Sequence, residues 1–503
     1  MSNGTTPGLP QERPEELPRE TLAVLIVGAG FSGLAMGIRC REAGIGPFRI
    51  VEKGDGIGGT WHANTYPGAA CDIPSHLYSL SFVPKADWSR LYPQQAEIKA
   101  YLEQAARDHG LLPHLHLNTG VTALTWDEEQ ALWRVETSRG PLRARAVVSG
   151  MGGLHHPALP DIPGRASFAG SAFHSAAWDH GVELRGRRVG VIGTGASAVQ
   201  FVPQIAESAA HLTLFQRTPA WIMPKHDRAI GERAQAAYRR VPLARRLFRE
   251  RLFWIHEMRA LLGFTKVSKL TAQAEALARR HLAKAVLDKA LRQKLTPRYR
   301  LGCKRVLISD DFYPALMRGN VTLETGRIAR ITPAGVVMED GAEHALDAIV
   351  YATGFDVTGS FRRLPVTGRD GLTLAEAWRD GMGAFQGITV AGFPNLFLLM
   401  GPNTGLGHNS MILMIEAQVE HALSCLLAMR SRGLSAVEVR PEAQARFLNG
   451  VRARLSDSIW QAGGCTSWYQ DAEGRNTAIW PGSVLAYRRG ARRARLSSDY
   501  RVR

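Results

Sequence analysis

The chain has 503 residues, of which 45% are hydrophobic and 21% are charged, so it is long enough for more than one domain and is not a disordered or fibrous protein. Its formal net charge of +17 favours anionic partners such as phosphates, nucleic acid or a membrane surface. Five scattered cysteines without a CxxC pair argue against a disulfide framework and a metal site, and they favour a reducing, cytoplasmic location.

The N-terminal residues 1–20 are rich in proline and glutamate. We expect them to form a flexible tail without a signal peptide. No apolar run approaches the length that spans a bilayer, so no membrane span is predicted.

The first nucleotide-binding pattern lies within residues 22–52. An apolar strand leads into Gly28, Gly30 and Gly33 in the spacing GxGxxG, a helical pattern follows, and a second strand ends at Glu52. The glycines let the backbone approach a pyrophosphate, and the helix N-terminus supplies free N–H groups. Glu52 can accept hydrogen bonds from ribose hydroxyls, so the pattern predicts a site for an adenosine with both hydroxyls free.

A second strand–turn–helix pattern follows, with the turn Gly193-Thr194-Gly195-Ala196-Ser197-Ala198. Its next strand ends at Arg217, where the first pattern has an acid. An arginine can pair with the 2′-phosphate that a carboxylate would repel, although it can also be a surface charge at a strand end. Two such units predict FAD and NADPH, and the lack of a redox-active cysteine pair makes O2 the leading electron acceptor.

Residues 228–300 are very basic and show apolar residues at three- and four-residue steps, which predicts amphipathic helices. We expect them to pack against the nucleotide domain or to roof a substrate pocket, and a membrane-surface role is the less favoured alternative. The predicted fold class is α/β, with two Rossmann-like dinucleotide-binding domains and a helical insertion. The expected parts are a tail at 1–20, an FAD-binding domain at 21–155 and 358–503, an NADP-binding domain at 156–227 and 301–357, and the insertion at 228–300.

The last part of the chain holds two further features. A strand at 396–400 runs into a Gly/Pro/Asn-rich loop, and a helix begins near Asn409. The helix either presents its N-terminus to a flavin or is simply capped by Asn409 or Ser410. The segment 488–503 contains seven arginines, which we interpret as a solvated coil rather than a nucleic-acid arm.

From about residue 20 to residue 485 the sequence resembles the flavin-dependent, single-component (type I) Baeyer–Villiger monooxygenases. The family pattern FxGxxxHxxxW(P/D) is matched at Phe168, Gly170, His174, Trp178 and Asp179. The pattern GGxWxxxx(F/Y)PGxxxD is matched at Gly58, Gly59, Trp61, Tyr66, Pro67, Gly68 and Asp72. His174 and Trp178 either adjust the relative position of the two domains or are merely packed; both interpretations stay open.

The resemblance implies roles for particular residues. Arg305 corresponds to the catalytic arginine, and Lys304 joins Arg217 and Thr218 in binding the NADPH 2′-phosphate. Trp468 is similar to a mobile-loop tryptophan that covers the nicotinamide. The cofactor-binding residues implied are Gly28, Gly30, Gly33, Glu52, Gly59, Trp61, Asp72, Gly193, Gly195, Ser197, Arg217, Thr218, Lys304 and Trp468.

The resemblance also implies a reaction. Reduced flavin adds O2 at C4a, and the peroxide attacks a ketone to give an ester or lactone. Arg305 is a cation at any working pH that can keep the peroxide anionic, and Asp72 can orient it through a bidentate pair. Two alternatives remain: a flavin enzyme that oxygenates nitrogen or sulfur, which does not need that pair, and a flavoprotein redox sensor. A small ketone and O2 are the expected substrates, with no nucleic acid partner.

Overall fold

A computed structural model describes residues 17–18, 20–263, 269–357, 359 and 363–503, with side chains left out at 259–263. The tail predicted at residues 1–20 therefore lies almost wholly outside the described residues. The strands, in chain order, are β1 (Thr21–Val27), β2 (Phe48–Val51), β3 (Leu115–His116), β4 (Val121–Asp127), β5 (Leu132–Thr137), β6 (Leu142–Ser149), β7 (Ser171–His174), β8 (Arg188–Ile192), β9 (His211–Phe215), β10 (Ile222–Met223), β11 (Leu307–Ile308), β12 (Val321–Glu324), β13 (Ile328–Thr332), β14 (Gly335–Met338), β15 (Glu343–Ala345), β16 (Ala348–Tyr351), β17 (Val366–Thr367), β18 (Leu396–Leu398), β19 (Val437–Val439) and β20 (Tyr500–Val502).

The α-helices lie between these strands, singly or in groups. In order they are α1 (Phe31–Glu42), α2 (Thr60–Ala63), α3 (Gln95–Asp108), α4 (Ala196–Ala206), α5 (Glu232–Arg240), α6 (Pro242–Gly263), α7 (Lys269–Ala285), α8 (Lys289–Lys294), α9 (Phe312–Leu316), α10 (Leu374–Ala377), α11 (Met411–Arg432), α12 (Pro441–Leu455), α13 (Ile459–Ala462) and α14 (Val484–Ala491).

The first sheet has the strand order β17-β4-β5-β6-β1-β2-β3. β1 pairs in parallel with β2 and β6, and its residues 24–26 are fully buried: Val24 and Ile26 pack in the cluster that contains α1, and Leu25 packs on the other face with Trp133 and Phe393. The first half of β6 alternates between buried and exposed residues and pairs with antiparallel β5. Its second half is buried and pairs in parallel with β18, which returns from late in the chain.

The second sheet is parallel throughout, in the order β12-β9-β8-β16-β7. Its core includes the buried side chains Val189, Val191 and Leu212 and the inner face of α4. The family pattern at 168–179 contains β7 (171–174), which is an edge strand of this sheet. Both glycine-rich turns follow a strand and precede a helix, as predicted.

The basic segment 228–300 is helical, as expected, and forms α5 to α8 between β10 and β11. Leu252 and Phe253 of α6 join the core of the first sheet, whereas Leu282 of α7 joins that of the second. The inner faces of the insertion thus pack against both halves of the molecule. The limits given above for the tail, the two nucleotide-binding domains and the insertion stay predictions.

Two sequence-based expectations are wrong. Cys303 and Cys465 form a disulfide, which a search for closely spaced cysteines could not find because 162 residues separate them. The arginine-rich end is not a solvated coil: it contains the end of α14, and β20 pairs with β19. The buried ring of Tyr500 fixes that last strand in the core.

One helix among the described residues, α11, is long and apolar enough by length and composition to cross a membrane. No apolar run of that length had been predicted from the sequence. Two thirds of its most apolar window (67%) is buried inside the protein, and it packs against α1 and α14.

Candidate active site

A single cavity of about 1620 Å³ lies where the two glycine-rich turns meet. Of the predicted site residues, all but Gly33 line it, and these are Gly28, Gly30, Glu52, Gly59, Trp61, Asp72, Gly193, Gly195, Ser197, Arg217, Thr218, Lys304, Arg305 and Trp468. The structure therefore brings together residues that span more than 400 positions of the sequence. Gly33 lies behind the wall, where a Cβ would approach Gly28 O to 1.7 Å, so it allows α1 to pack closely on β1.

The first turn leaves room for a phosphate and offers donors to it. Gly28 has φ +101°, and a Cβ there would lie 2.8 Å from Gly150 O. Gly30 is the N-cap of α1 but provides no side-chain cap, so the first N–H groups of the helix remain available to an anion. A Cβ on Gly59 would lie 3.0 Å from Gly30 Cα, which shows how closely the two backbones approach.

Glu52 is held at the end of β2 by two backbone donors. Its Oε2 accepts from Ala29 N at 2.8 Å, and its Oε1 accepts from Gly54 N at 2.8 Å. Each carboxylate oxygen keeps a second acceptor position. The acid is therefore fixed beside the turn with capacity for the two ribose hydroxyls.

The second turn repeats this geometry. Gly193 has φ +109°, and a Cβ would lie 2.4 Å from Ala352 O. Gly195 is the N-cap of α4, again without a side-chain cap. Thr194 Oγ1 donates to Thr218 O at 3.2 Å, which fixes the segment after β9 against the turn. Both turns thus combine a closely approached glycine with a helix N-terminus that has no side-chain cap, and both fit the pyrophosphate of a dinucleotide.

Two cations lie beside the second turn. Arg217 is exposed at the end of β9, and its charge, together with the larger effect of burial, lowers the pKa of Lys304. Neither side chain has an ion-pair partner within the described part of the chain. Two like charges held near each other without a carboxylate favour a bound anion.

Arg305 and Asp72 form a bidentate ion pair in the cavity wall. Arg305 Nε donates to Asp72 Oδ2 at 3.0 Å, and Nη2 donates to Oδ1 at 2.7 Å. Asp72 raises the pKa of Arg305 further above its ordinary value, against the opposing effect of burial. The guanidinium is a permanent cation whose Nη1 keeps its two N–H groups, since the described residues offer Nη1 no acceptor.

The loop that ends at Asp72 is fixed to the second sheet by Gln200 of α4. Gln200 Oε1 accepts from Tyr66 OH at 3.0 Å and from Ala70 N at 3.3 Å, and its Nε2 donates to Ala70 O at 2.9 Å. Gly68 has φ +77°, and a Cβ there would lie 2.7 Å from Gln200 O. The acid of one domain is thus positioned by a helix of the other.

The Lys304–Arg305 segment is also tied to the loop that carries Trp468. The disulfide joins Cys303, directly before Lys304, to Cys465, and Arg300 N donates to Gly463 O at 3.0 Å. Trp468 is exposed to the cavity. Its neighbour Tyr469 is buried near Arg305, and burial raises its pKa to about 12.

Comparisons with known proteins decide the family. A family model described as pyridine nucleotide-disulphide oxidoreductase matches residues 25–230. A Baeyer–Villiger monooxygenase of Streptomyces coelicolor is 46% identical over 488 residues, which cover 97% of this chain and 94% of the relative. A Baeyer–Villiger monooxygenase of Pseudomonas aeruginosa is 48% identical over 467 residues, 92% of this chain and 88% of the relative. The chain belongs to the type I Baeyer–Villiger monooxygenase family.

A solved structure agrees. The crystal structure of OTEMO in complex with FAD and NADP matches with a TM-score of 0.86 and 28% identity, over 96% of this chain and 99% of that chain. The predicted family, the α/β fold with two dinucleotide-binding domains, and the FAD- and NADPH-dependent monooxygenase activity are confirmed. The roles of individual residues stay predictions.

Sequence reasoning missed two side chains that support the site of this Baeyer–Villiger monooxygenase. Gln200 gave no signal, since a glutamine on a helix face is ordinary. Glu257 is buried in α6, where it accepts from Asn409 Nδ2 at 3.1 Å and from Leu485 N at 3.1 Å. The signal that could have identified Glu257 is the presence of a carboxylate within a strongly basic helix. Of the two caps considered for α11, Asn409 and Ser410, the structure has Ser410, whose Oγ accepts from Ile412 N at 3.3 Å.

Proposed function

We propose that this Baeyer–Villiger monooxygenase binds FAD at the Gly28 turn and NADPH at the Gly193 turn, and that Arg305 is its catalytic residue. One observation carries the proposal: the Asp72–Arg305 pair lies in the wall of the cavity that both turns line. A dinucleotide held at each turn shares that cavity with the guanidinium.

The FAD would be held by the uncapped N-terminus of α1 and by Glu52, with Gly59 and Trp61 of the adjoining loop in the same wall. Trp61 is itself fixed, because its Nε1 donates to Tyr78 OH at 3.1 Å. When bound and reduced by NADPH, the flavin supplies O2 in a form that can add to a carbonyl carbon.

Arg305 would stabilise the negative charge that develops on the substrate carbonyl oxygen during that addition. Its raised pKa prevents it from acting as an acid, so it acts by hydrogen bonding and charge through the free Nη1. Asp72 holds the guanidinium plane by two parallel hydrogen bonds and is a positioning residue as well as a neighbour of the cofactor.

The NADPH would be recognised by its 2′-phosphate at Arg217, Thr218 and Lys304. Gly195 and Ser197, at the start of α4, would face the pyrophosphate, and Trp468 would cover the nicotinamide from the disulfide-linked loop.

The substrate class we propose is an apolar ketone. The cavity side chains contributed by the loop after β18, by α11 and by the C-terminal loops are largely apolar, namely Met400, Leu406, Ile412, Ile415 and Ile479. Such a wall favours hydrocarbon around a single carbonyl group.

Product analysis with labelled O2 and a mixed panel of ketones tests the proposal. We expect one labelled oxygen in an ester or lactone. The variant Arg305→Ala should still allow flavin reduction by NADPH without air, but ester formation should fall about 100-fold or more. The matched control is Arg327→Ala, an exposed cation of the same cavity. Equal ester yields from Arg305→Ala and the control would contradict the assigned role.

A further inference from the structure

Exposed apolar side chains are concentrated on the helical insertion. Among the described residues, fifteen large hydrophobic side chains are exposed, and nine of them lie between 241 and 287. These nine are Val241, Leu243, Leu247, Trp254, Ile255, Met258, Leu270, Leu277 and Leu287. Scattered single residues of this kind are normal on a surface, but a contiguous group of them marks an interaction site.

Four of them form one stripe along α6. Leu243, Leu247, Trp254 and Met258 are spaced by four, seven and four residues, which places them within about 60° of the helix circumference over about 22 Å. Their exposed fractions are 62%, 60%, 47% and 44%. The opposite side of α6 is inward: Leu252 and Phe253 are buried.

The same segment carries most of the net charge. Residues 228–300 hold 19 lysines and arginines and five aspartates and glutamates, a net +14 of the chain's +17. One acidic residue, the exposed Glu250, borders the stripe on one side. Three arginines flank this face: Arg251 borders the stripe on the other side, Arg246 lies further round α6, and Arg240 lies just before α6. All three are exposed, and none has an ion pair within the described ranges.

We propose that this face, the stripe with its flanking arginines, docks on the surface of an anionic lipid bilayer. A helix that lies in a membrane interface combines Leu and Trp on one side with unpaired cations beside them. A second copy of the chain would bring two strongly positive faces together, which repel each other. A nucleic acid would use the cations but would leave the Leu, Trp and Met side chains exposed.

The inner face of the same helix reaches the cavity. His256 Nδ1 lies 3.1 Å from His408 O, and Asn409, the next residue, lines the cavity. If α6 docks on a bilayer, only that helix separates the lipid from the cavity, because the stripe lies on the side of α6 opposite His256. The docking itself rests on the surface of α6 and not on the assignment of the ketone reaction.

Vesicle flotation of the FAD-loaded full chain tests the proposal. Vesicles of phosphatidylglycerol and phosphatidylcholine should carry the protein, vesicles of phosphatidylcholine alone should not, and added salt should release it. The double variant L247E/W254E should bind at least about tenfold more weakly. Met317→Glu, at an exposed apolar residue far along the chain, is the matched control and should bind like the original protein.

A second pair of variants tests the charge. Arg240, Arg246 and Arg251 changed together to glutamine should weaken binding, whereas the same change at the exposed Arg143, Arg145 and Arg493 should not. Absence of flotation at low salt, or equal binding by the stripe and control variants, would overturn the proposal. It would also be overturned if L247E/W254E abolished only self-association in sedimentation velocity, since the face would then be covered by a second copy.

Discussion

We propose that Lys304 and Arg217 together make this protein prefer NADPH to NADH. Burial and the charge of Arg217 lower the pKa of Lys304, so this lysine loses its proton at a lower pH than an ordinary lysine. A bound 2′-phosphate would need both cations. The preference for NADPH over NADH should therefore weaken as the pH rises toward the usual lysine range.

Titration calorimetry with NADP⁺ and NAD⁺ over a pH series measures this effect. Lys304→Arg should keep NADP⁺ binding and remove its decline at high pH, because a guanidinium stays charged. Arg217→Ala should weaken NADP⁺ by about 1.5–3 kcal/mol and leave NAD⁺ nearly unchanged. Equal losses for the two cofactors in Arg217→Ala would show that Arg217 does not contact the 2′-phosphate.

At the scale of an element, Gln200 fixes the loop 64–72 on α4. Replacing it by leucine removes three hydrogen bonds and leaves the peptide groups of Ala70 without partners, a cost of about 1–3 kcal/mol. We expect lower thermal stability and a smaller fraction of consumed NADPH recovered as ester, because Asp72 at the end of the loop is less well placed. Gln204→Leu, one turn further along α4, is the matched control.

The disulfide is the second feature at this scale, and it limits how far the Trp468 loop can move from Lys304. Cys465→Ser should lower the free energy of unfolding by about 2–5 kcal/mol and speed proteolysis at residues 464–468. Dithiothreitol should have the same effects on the original protein and none on the variant. Cys425→Ser, at a free buried cysteine, should retain the response; a Cys465→Ser protein as resistant as the original would exclude a role in holding the loop.

The stability of the whole molecule should depend on pH through buried histidines. Burial lowers the pKa of His421 to about 4, and its two nitrogens lie 2.6 Å from Ala491 O and from Tyr500 OH. In the unfolded chain His421 takes up a proton near the ordinary histidine pKa of 6.5, whereas in the folded protein it does so only near pH 4. Stability contributed by neutral His421 is therefore complete above about pH 6.5 and is lost as the pH falls toward 4.

Urea unfolding at a series of pH values measures this slope, which is the change in the free energy of unfolding with pH. His421→Gln should flatten it by up to about 3 kcal/mol across that interval, and His109→Gln, at a residue that is not buried, should leave it unchanged. His76 and His155, whose pKa values burial also lowers to about 4, would maintain part of the slope. An unaltered profile in the His421 variant would show that this site does not titrate on unfolding.

Local signals made part of this architecture predictable. The Gly28 and Gly193 turns, Glu52 and the Ser410 cap depend on residues within one strand–turn–helix unit, whose spacing is visible in the sequence. The pairing of Arg305 with Asp72 was accessible only through the family resemblance. The Cys303–Cys465 bond, the Gln200 contacts and the three-residue strand at Tyr500 depend on packing between distant segments, for which a single sequence carries no periodic signal.

The position of β18 affects the order in which the two sheets can fold while the chain is being synthesised on the ribosome. Every strand of the second sheet has been synthesised once residue 351 is made, so that sheet can close early. The second half of β6 keeps an open edge until residues 396–398 emerge. The second sheet should therefore form before the first sheet, although it lies later in the chain. FAD should bind only after almost four fifths of the chain has been translated.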